Sequence, residues 1–271
     1  MKLNANLITM LALLSAGSSL TAGEWGKEVV GKEVIEADGP FVSGTFSFNY
    51  NTHFISYGAD VWGNGGSTFN DSLFNPSLEL KFALPNDYYM VLGTWWDVNG
   101  NIDPSAIGGR IQEVDLWTGV GKDFGFVDAK LLYQQWIYAS DTEHIVDLVL
   151  GFEAPLNPSF TVHYRPDQGA AFGDEGFFFV GGIAPGFDVG PVAVTIPVNV
   201  AFATDNFHGG DSGFGYASAG VQASYPLPVP DGYGDWSLTA GYTYYHTSDD
   251  VIPNNPADDF FTGTAGISIG F

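Results

Sequence analysis

The sequence predicts an all-β fold, a transmembrane antiparallel up-and-down β-barrel of about 12 strands behind a cleaved signal peptide. Three observations predict it. Run after run from residue 43 onward alternates apolar with other residues, the period of a strand. The connections alternate between long Gly/Asn/Asp-rich stretches and short turns. The last run, Phe260 to Phe271 (FFTGTAGISIGF), sets Phe261, Ala265, Ile267, Ile269 and Phe271 on one face and Thr262, Thr264, Gly266, Ser268 and Gly270 on the other. No further strand follows it, so closure onto the first strand supplies its missing neighbour.

Composition narrows the function classes. The chain has 31 Asp and Glu against 8 Lys and Arg, a formal charge of −23. Nucleic acid and acidic substrates are poor partners for such a surface, because binding them takes basic residues. Cations suit it better. There is no cysteine, which removes disulfides, thiolate metal sites, Cys nucleophiles and a Cys-linked lipid anchor. Gly is abundant at 36 and aromatics reach 15%, a turn-rich and strand-rich composition.

Residues 1–22 read as a signal peptide: Lys2, then the apolar run Leu7 to Ala16, then Gly17, Ser18, Ser19 and Ala22. The apolar run is too short to span a bilayer as a helix. Residues 23–42, with Lys27, Glu28, Lys32, Glu33 and Glu36, have no clear period and read as a solvated periplasmic segment. Residues 43–271 form the barrel.

Each barrel run is near the length a tilted membrane strand needs. The first, Gly44 to Tyr57, sets Phe46, Phe48, Tyr50 and Phe54 against Ser47, Asn49, Asn51 and His53. Pro76 to Leu84 and Tyr88 to Val98 follow, the latter with Tyr88, Met90, Leu92, Thr94, Trp96 and Val98 on its outer face. Next come Ile111 to Lys122, Phe126 to Ala139, Glu143 to Ala154 and Pro158 to Arg165. Gly176 to Phe187 is apolar on both faces. Val192 to Thr204 has the cleanest apolar row, Val192, Val194, Ile196, Val198, Val200 and Phe202; Pro197 inside it calls for a bulge. Gly215 to Tyr225 and Trp236 to Thr247 precede the terminal strand.

Alternation also suits a soluble secreted β-sheet binding protein. Three features favour lipid. The second face reads as small or polar. Aromatics sit near strand ends: Tyr88 and Trp96, Trp236 and Tyr244, Phe46 and Phe54. An export signal and an aromatic terminus bracket the chain. Together these resemble a bacterial outer-membrane β-barrel of the Gram-negative type. That resemblance implies outer-membrane lipids as surroundings, and recognition of the last strand, ending in Phe271, by the barrel-assembly machinery.

A narrower resemblance rests on LFNPSLELKFALPNDYYMVLGTWWDVN, EVDLWTGVGKDFGFVDAKLLYQQWIY and HIVDLVLG. With Tyr89, Gly93 and Trp95, then Glu113 and Asp115, then Tyr133 and Tyr138, they look like the TorF-type porins. The likeness covers about half the chain, and the stretch Tyr50 to Tyr57 lacks an Arg-Gly pair of that family. It implies passive passage of small solutes, hence a non-enzyme with no cofactor.

Parity places Glu79, Lys81, Asp97, Glu113, Asp115, Asp128, Lys130, Asp147, Glu153, His163 and Arg165 on the inner face. They either line a narrow passage that favours cations or fill the lumen with paired charges. Asp97, Asn99, Asn101 and Asp103 have the spacing of Ca²⁺ ligands but lack the Gly and Glu of an EF-hand loop, so a plain turn is the better reading. His246 and Ser248, with Asn254 or Asn255, resemble the His-Ser-Asn set of a barrel lipid hydrolase, an alternative from the enzyme class.

Overall fold

The computed structural model describes residues 41–63, 73–101, 105, 107–138, 141–169 and 173–271. The expected signal peptide, the expected periplasmic segment up to residue 40 and Asp103 lie outside these residues. The strands are β1 (Val42–Asn51), β2 (Ile55–Ser56), β3 (Ala59–Asp60), β4 (Leu73–Ala83), β5 (Tyr88–Val98), β6 (Ile111–Asp123), β7 (Val127–Ile137) and β8 (Thr142–Phe152). They continue as β9 (Ser159–Arg165), β10 (Gly176–Ile183), β11 (Gly186–Val189), β12 (Val192–Thr195), β13 (Val198–Ala203), β14 (Gly213–Pro226), β15 (Asp235–Thr247) and β16 (Asp259–Gly270).

Fourteen of these segments form one antiparallel sheet, and two of its staves are each interrupted once, so the wall is a 12-stave barrel. β16 pairs with β15 on one edge and with β1 on the other, which closes the ring. Phe271 is stitched in as well: Gly44 N–H donates to its carbonyl at 2.8 Å, and its own N–H reaches Gly44 O at 3.0 Å. Closure leaves no wall edge for another chain to template on.

The two interruptions are neighbours. β10 and β11 are parted at Ala184–Pro185, β12 and β13 at Ile196–Pro197. Proline has no N–H to give the ladder, so each break falls where a donor is missing. Ile196 N–H still finds Pro185 O, and Gly220 N–H finds Pro197 O, both at 2.9 Å. The bulge expected at Pro197 is not there: Thr195 faces Gln222 and Val198 faces Ala219 in one continuous register, so the ladder is merely interrupted, and the bulge falls between Ala201 and Phe202. A second, unexpected interruption falls at Pro185.

The outer face is apolar nearly all round. Leu92, Leu116, Val120, Leu131, Leu148, Val198, Val200, Phe202, Val221, Leu238 and Phe261 are all exposed. Ile196 is 39% exposed and Val198 40%, so the cleanest apolar row points away from the interior rather than against a second sheet. This excludes the soluble sandwich. Tyr88, Trp96 and Tyr244 are exposed near strand ends, where an interfacial ring with a polar tip is stable.

Two further expectations fail. The first strand stops at Asn51, and Phe54 lies 3% exposed inside rather than on the outer face. The inner face is also not uniformly small and polar. Tyr89, Trp95, Trp117, Leu132, Trp136, Ile145, Phe178, Tyr216 and Tyr245 are buried within the barrel. Two of these rings lie over cross-strand glycines, Trp117 over Gly93 and Tyr89 over Gly121, where any side chain would collide.

Candidate functional site

The bore is built in two tiers. The tier at the long-connection end is closed by a hairpin that folds inward directly after β1. β2 and β3 pair only with each other, Ile55 with Asp60 and Ser56 with Ala59. Their two-residue turn is Tyr57 and Gly58, with φ of 49° and 86°. Positive φ at both positions is the turn type whose twist suits a tight hairpin. Chain entry is fixed by Gly263 N–H to Thr52 Oγ1 at 2.8 Å and Thr52 N–H to Gly263 O at 2.9 Å.

From the first stave the hairpin reaches the opposite wall. The Tyr57 ring lies 4.4 Å from the His163 ring on β9, 5.3 Å from Trp136 on β7, 5.4 Å from Phe178 on β10 and 5.5 Å from Phe207. β9 is the seventh stave of twelve, so the loop crosses the full bore. Phe54 packs at 4.9 Å from Trp95, and Tyr216 and Ile252 close over Gly58. The result is a dry layer: Ile55, Phe178, Phe207, Tyr216 and Tyr245 have no exposed surface.

Polar groups pin this layer to the rim. Asn255 Oδ1 accepts from Asp60 N–H at 2.7 Å, and its Nδ2 donates to Gly58 O at 2.9 Å and Thr247 Oγ1 at 3.0 Å. His208 Nε2 meets Tyr57 O at 3.0 Å. Trp62 Nε1–H donates to Asp97 Oδ2 at 2.8 Å. Burial, then the nearby Arg165 charge, lowers the His208 pKa to about 3. The Tyr138 phenol, just past β7, is held well above its usual range by burial and by Glu113, Glu143 and Asp115, with Arg165 opposing.

The sequence-derived inner residues divide by tier. Asp97, Glu113, Asp115, Asp147, His163 and Arg165 are buried at the closed end. Asp97 accepts from Trp62, Asn75 and Asn99 side chains. Asp147 accepts from Gln134 and meets His163 Nδ1 at 2.7 Å. Arg165 lies 3.1 Å from Glu143, a partner that alternation alone does not single out, and donates to Phe207 O at 2.7 Å. Farther down, Lys130 is 4.0 Å from Glu79, whose other oxygen accepts from Trp117 Nε1–H at 2.8 Å. Tyr89 donates to Asp128 at 2.5 Å, and the Lys81 ammonium stands 4.2 Å over the Tyr89 ring. Glu153 lies past the end of β8 and is exposed at the turn end.

Carboxylates thus gather on the β4–β10 wall, while buried rings stand on both walls, Tyr216 and Tyr245 being on β14 and β15. The β14–β16 and β1 wall facing them carries Ser218, Gln222, Ser237, Thr239, Thr243, Thr264, Ser268 and Ser47. At the turn end the small inner residues are half-exposed, and a Cβ added at Gly151 would meet nothing within 4 Å.

Two other constellations do not assemble. Asp97 is occupied by three side-chain donors, Asn99 Oδ1 accepts from Asn101 N–H, and among the described residues no group of three or more His, Cys, Asp or Glu is arranged for a metal. His246 turns to Asp259 at 2.9 Å on the exposed outer face. Ser248 instead donates its backbone N–H to Gly215 O and accepts from Val251 and Ile252. Among the described residues no hydrogen bond links His246 to Ser248, and Asn255 serves the hairpin.

A closed sheet with an apolar exterior and a charged interior defines the class: a transmembrane β-barrel. No family model and no curated protein matches the chain. Among solved structures it is similar to the NanC porin at 8% identity, covering 83% of this chain and 98% of that one, with a TM-score of 0.46. It is similar to the KdgM porin at 11% identity, covering 84% and 99%, with a TM-score of 0.46. Similarity to LpxR from Salmonella typhimurium has 9% identity, covers 84% and 99%, and has a TM-score of 0.42. At these scores they add nothing to the strand pairing, on which the fold assignment rests.

Proposed function

We propose that this chain is an outer-membrane channel of porin type that passes small polar solutes, cations in preference, by passive diffusion. The observation that carries the reading is the asymmetric interior. Carboxylates outnumber basic groups on one wall, hydroxyl and amide groups with the Tyr216 and Tyr245 rings line the other, and lipid-compatible side chains surround both. Glu79, Lys81, Asp97, Glu113, Asp115, Asp128, Lys130, Asp147, His163 and Arg165 line the passage when it conducts, and Glu153 stands past β8 at its turn end. A carboxylate excess in a confined, low-dielectric bore raises the local cation concentration. The TorF-type resemblance points the same way.

Outer-membrane lipids are the surroundings that satisfy the apolar belt. The last strand, ending in Phe271, is the segment offered to the assembly machinery.

The test is the reversal potential across planar bilayers under a salt gradient, run on the intact protein and on a folded variant with residues 53–62 replaced by a Gly/Ser linker. A cation-selective potential supports the reading. Silence from both proteins overturns it.

A further inference from the structure

We propose that the β2–β3 hairpin is a gate, latched shut by Asn255 from the 248–258 connection; this rests on the channel reading above. The hairpin contributes nothing to ring closure. β2 and β3 form a separate two-stranded sheet, and every stave of the wall keeps its two neighbours without them. Withdrawal therefore removes the Tyr57 layer without unzipping the barrel.

Below the hairpin, Trp117, Leu132 and the Glu79–Lys130 pair are also buried, and open space lies beside Gly151 at the turn end. The dry layer at Tyr57 is the barrier that the hairpin itself forms at the long-connection end.

The latch has unusual form. Asn255 grips the second half of the hairpin, taking the Asp60 N–H at 2.7 Å and giving to Gly58 O at 2.9 Å. A neighbouring strand would make the same pair of bonds along a ladder. Here one side chain makes them, from a connection whose Pro253, Asn254 and Pro256 are exposed at the rim. Thr247 Oγ1 orients the amide through its second N–H at 3.0 Å. Moving the 248–258 connection breaks both bonds at once. A rim event thereby acts on the bore.

The experiment compares single-channel records from four proteins, each confirmed as folded by heat-modifiable mobility: the intact chain, Asn255→Ala, Tyr57→Ala and the 53–62 linker variant. The intact chain should open rarely. Loss of the two latch bonds should raise opening frequency on the order of tenfold at unchanged unit conductance. Loss of the Tyr57 anchor should raise it on the order of a hundredfold or more. The linker variant should conduct continuously.

If the intact chain conducts as continuously as the linker variant, the gate is wrong and the channel stands. If the folded linker variant is silent, the channel reading fails and the gate falls with it. If the linker variant does not fold, the point variants still decide: opening frequencies equal to the intact chain's in both overturn the gate.

Discussion

Gly58→Val should unseat the hairpin, and the size of the effect can be worked from its surroundings. The residue has φ of 86°, where a β-branched side chain costs about 1–3 kcal/mol. A Cβ would also stand 2.5 Å from Tyr216 Cδ1 and 2.9 Å from Ile252 Cδ1. Neither neighbour has room to retreat: Tyr216 is 0% exposed and Ile252 1%. Overpacking there adds about 1–3 kcal/mol, for a total of roughly 2–6 kcal/mol. Against it stands burial of Phe54, Ile55 and Tyr57, worth roughly 5–9 kcal/mol together before the entropy of ordering is subtracted. The unseated fraction should then rise roughly 30- to 20,000-fold.

Amide exchange reads this directly at two positions, Asp60, which donates to Asn255, and Val61, which donates to Phe54 O at 2.9 Å. Both should lose protection in Gly58→Val while the β5–β8 ladder keeps its own. Gly125→Val is the control. It has the same φ of 86° but no atom within 4 Å of the added Cβ, and it lies in the turn between β6 and β7. Unchanged protection at Asp60 and Val61 in Gly58→Val, or equal loss in both variants, would refute the reasoning.

Acid should loosen the hairpin through His208. Its pKa in place is lowered from 6.5 to about 3 by burial and Arg165, with Tyr57 O and the Phe178 and Phe207 rings also facing it. A lowered histidine pKa means that the seated state favours the neutral ring, so the contribution is complete above pH 6.5 and fades as pH falls toward 3. Exchange at Asp60, corrected for its intrinsic rate, should therefore rise below pH 6.5 and lose that dependence in His208→Gln; a flat profile in the intact chain contradicts this. Val200→Arg places a charge on the lipid face and should cost about 2–4 kcal/mol in urea unfolding from liposomes, with no cost counting against the belt. Lys130→Met removes one partner of a buried pair and should cost about 3–5 kcal/mol; adding Glu79→Gln should recover part of it, and additive losses would show that the two groups are uncoupled.

Most of the wall was legible because lipid imposes a strict period of two. Tyr88–Val98 falls where its alternation puts it, and the other staves shift by only a few residues at their ends, except the first, which stops at Asn51 rather than Tyr57. The hairpin was not legible. Phe54 continues an apolar spacing begun at Phe46 and Phe48, and nothing local distinguishes outward into lipid from inward into a dry layer. The available signal was Tyr57–Gly58, a two-residue turn flanked by Ile55 and Ala59, but tyrosine is not a residue that advertises positive φ. Inward rings are hidden for a similar reason. Trp117 and Trp136 occupy the inner register among Asp115, Lys130 and Gln134, where the strong outer rows mask them. Glu153 falls past the end of β8 rather than inside the stave, and the partners of the buried charges, Trp117 for Glu79 and Glu143 for Arg165, depend on cross-strand register and height in the barrel.

The central claim is that the apolar rows face hydrocarbon while charge and water are enclosed. With no native cysteine, single cysteines at residues 198–203 can carry nitroxide labels in reconstituted protein without background. Labels at Val198, Val200 and Phe202 should be relaxed by oxygen, which concentrates in lipid, and those at Asn199, Ala201 and Ala203 should not. Relaxation of the Val198, Val200 and Phe202 labels by a water-soluble nickel complex instead would contradict the account.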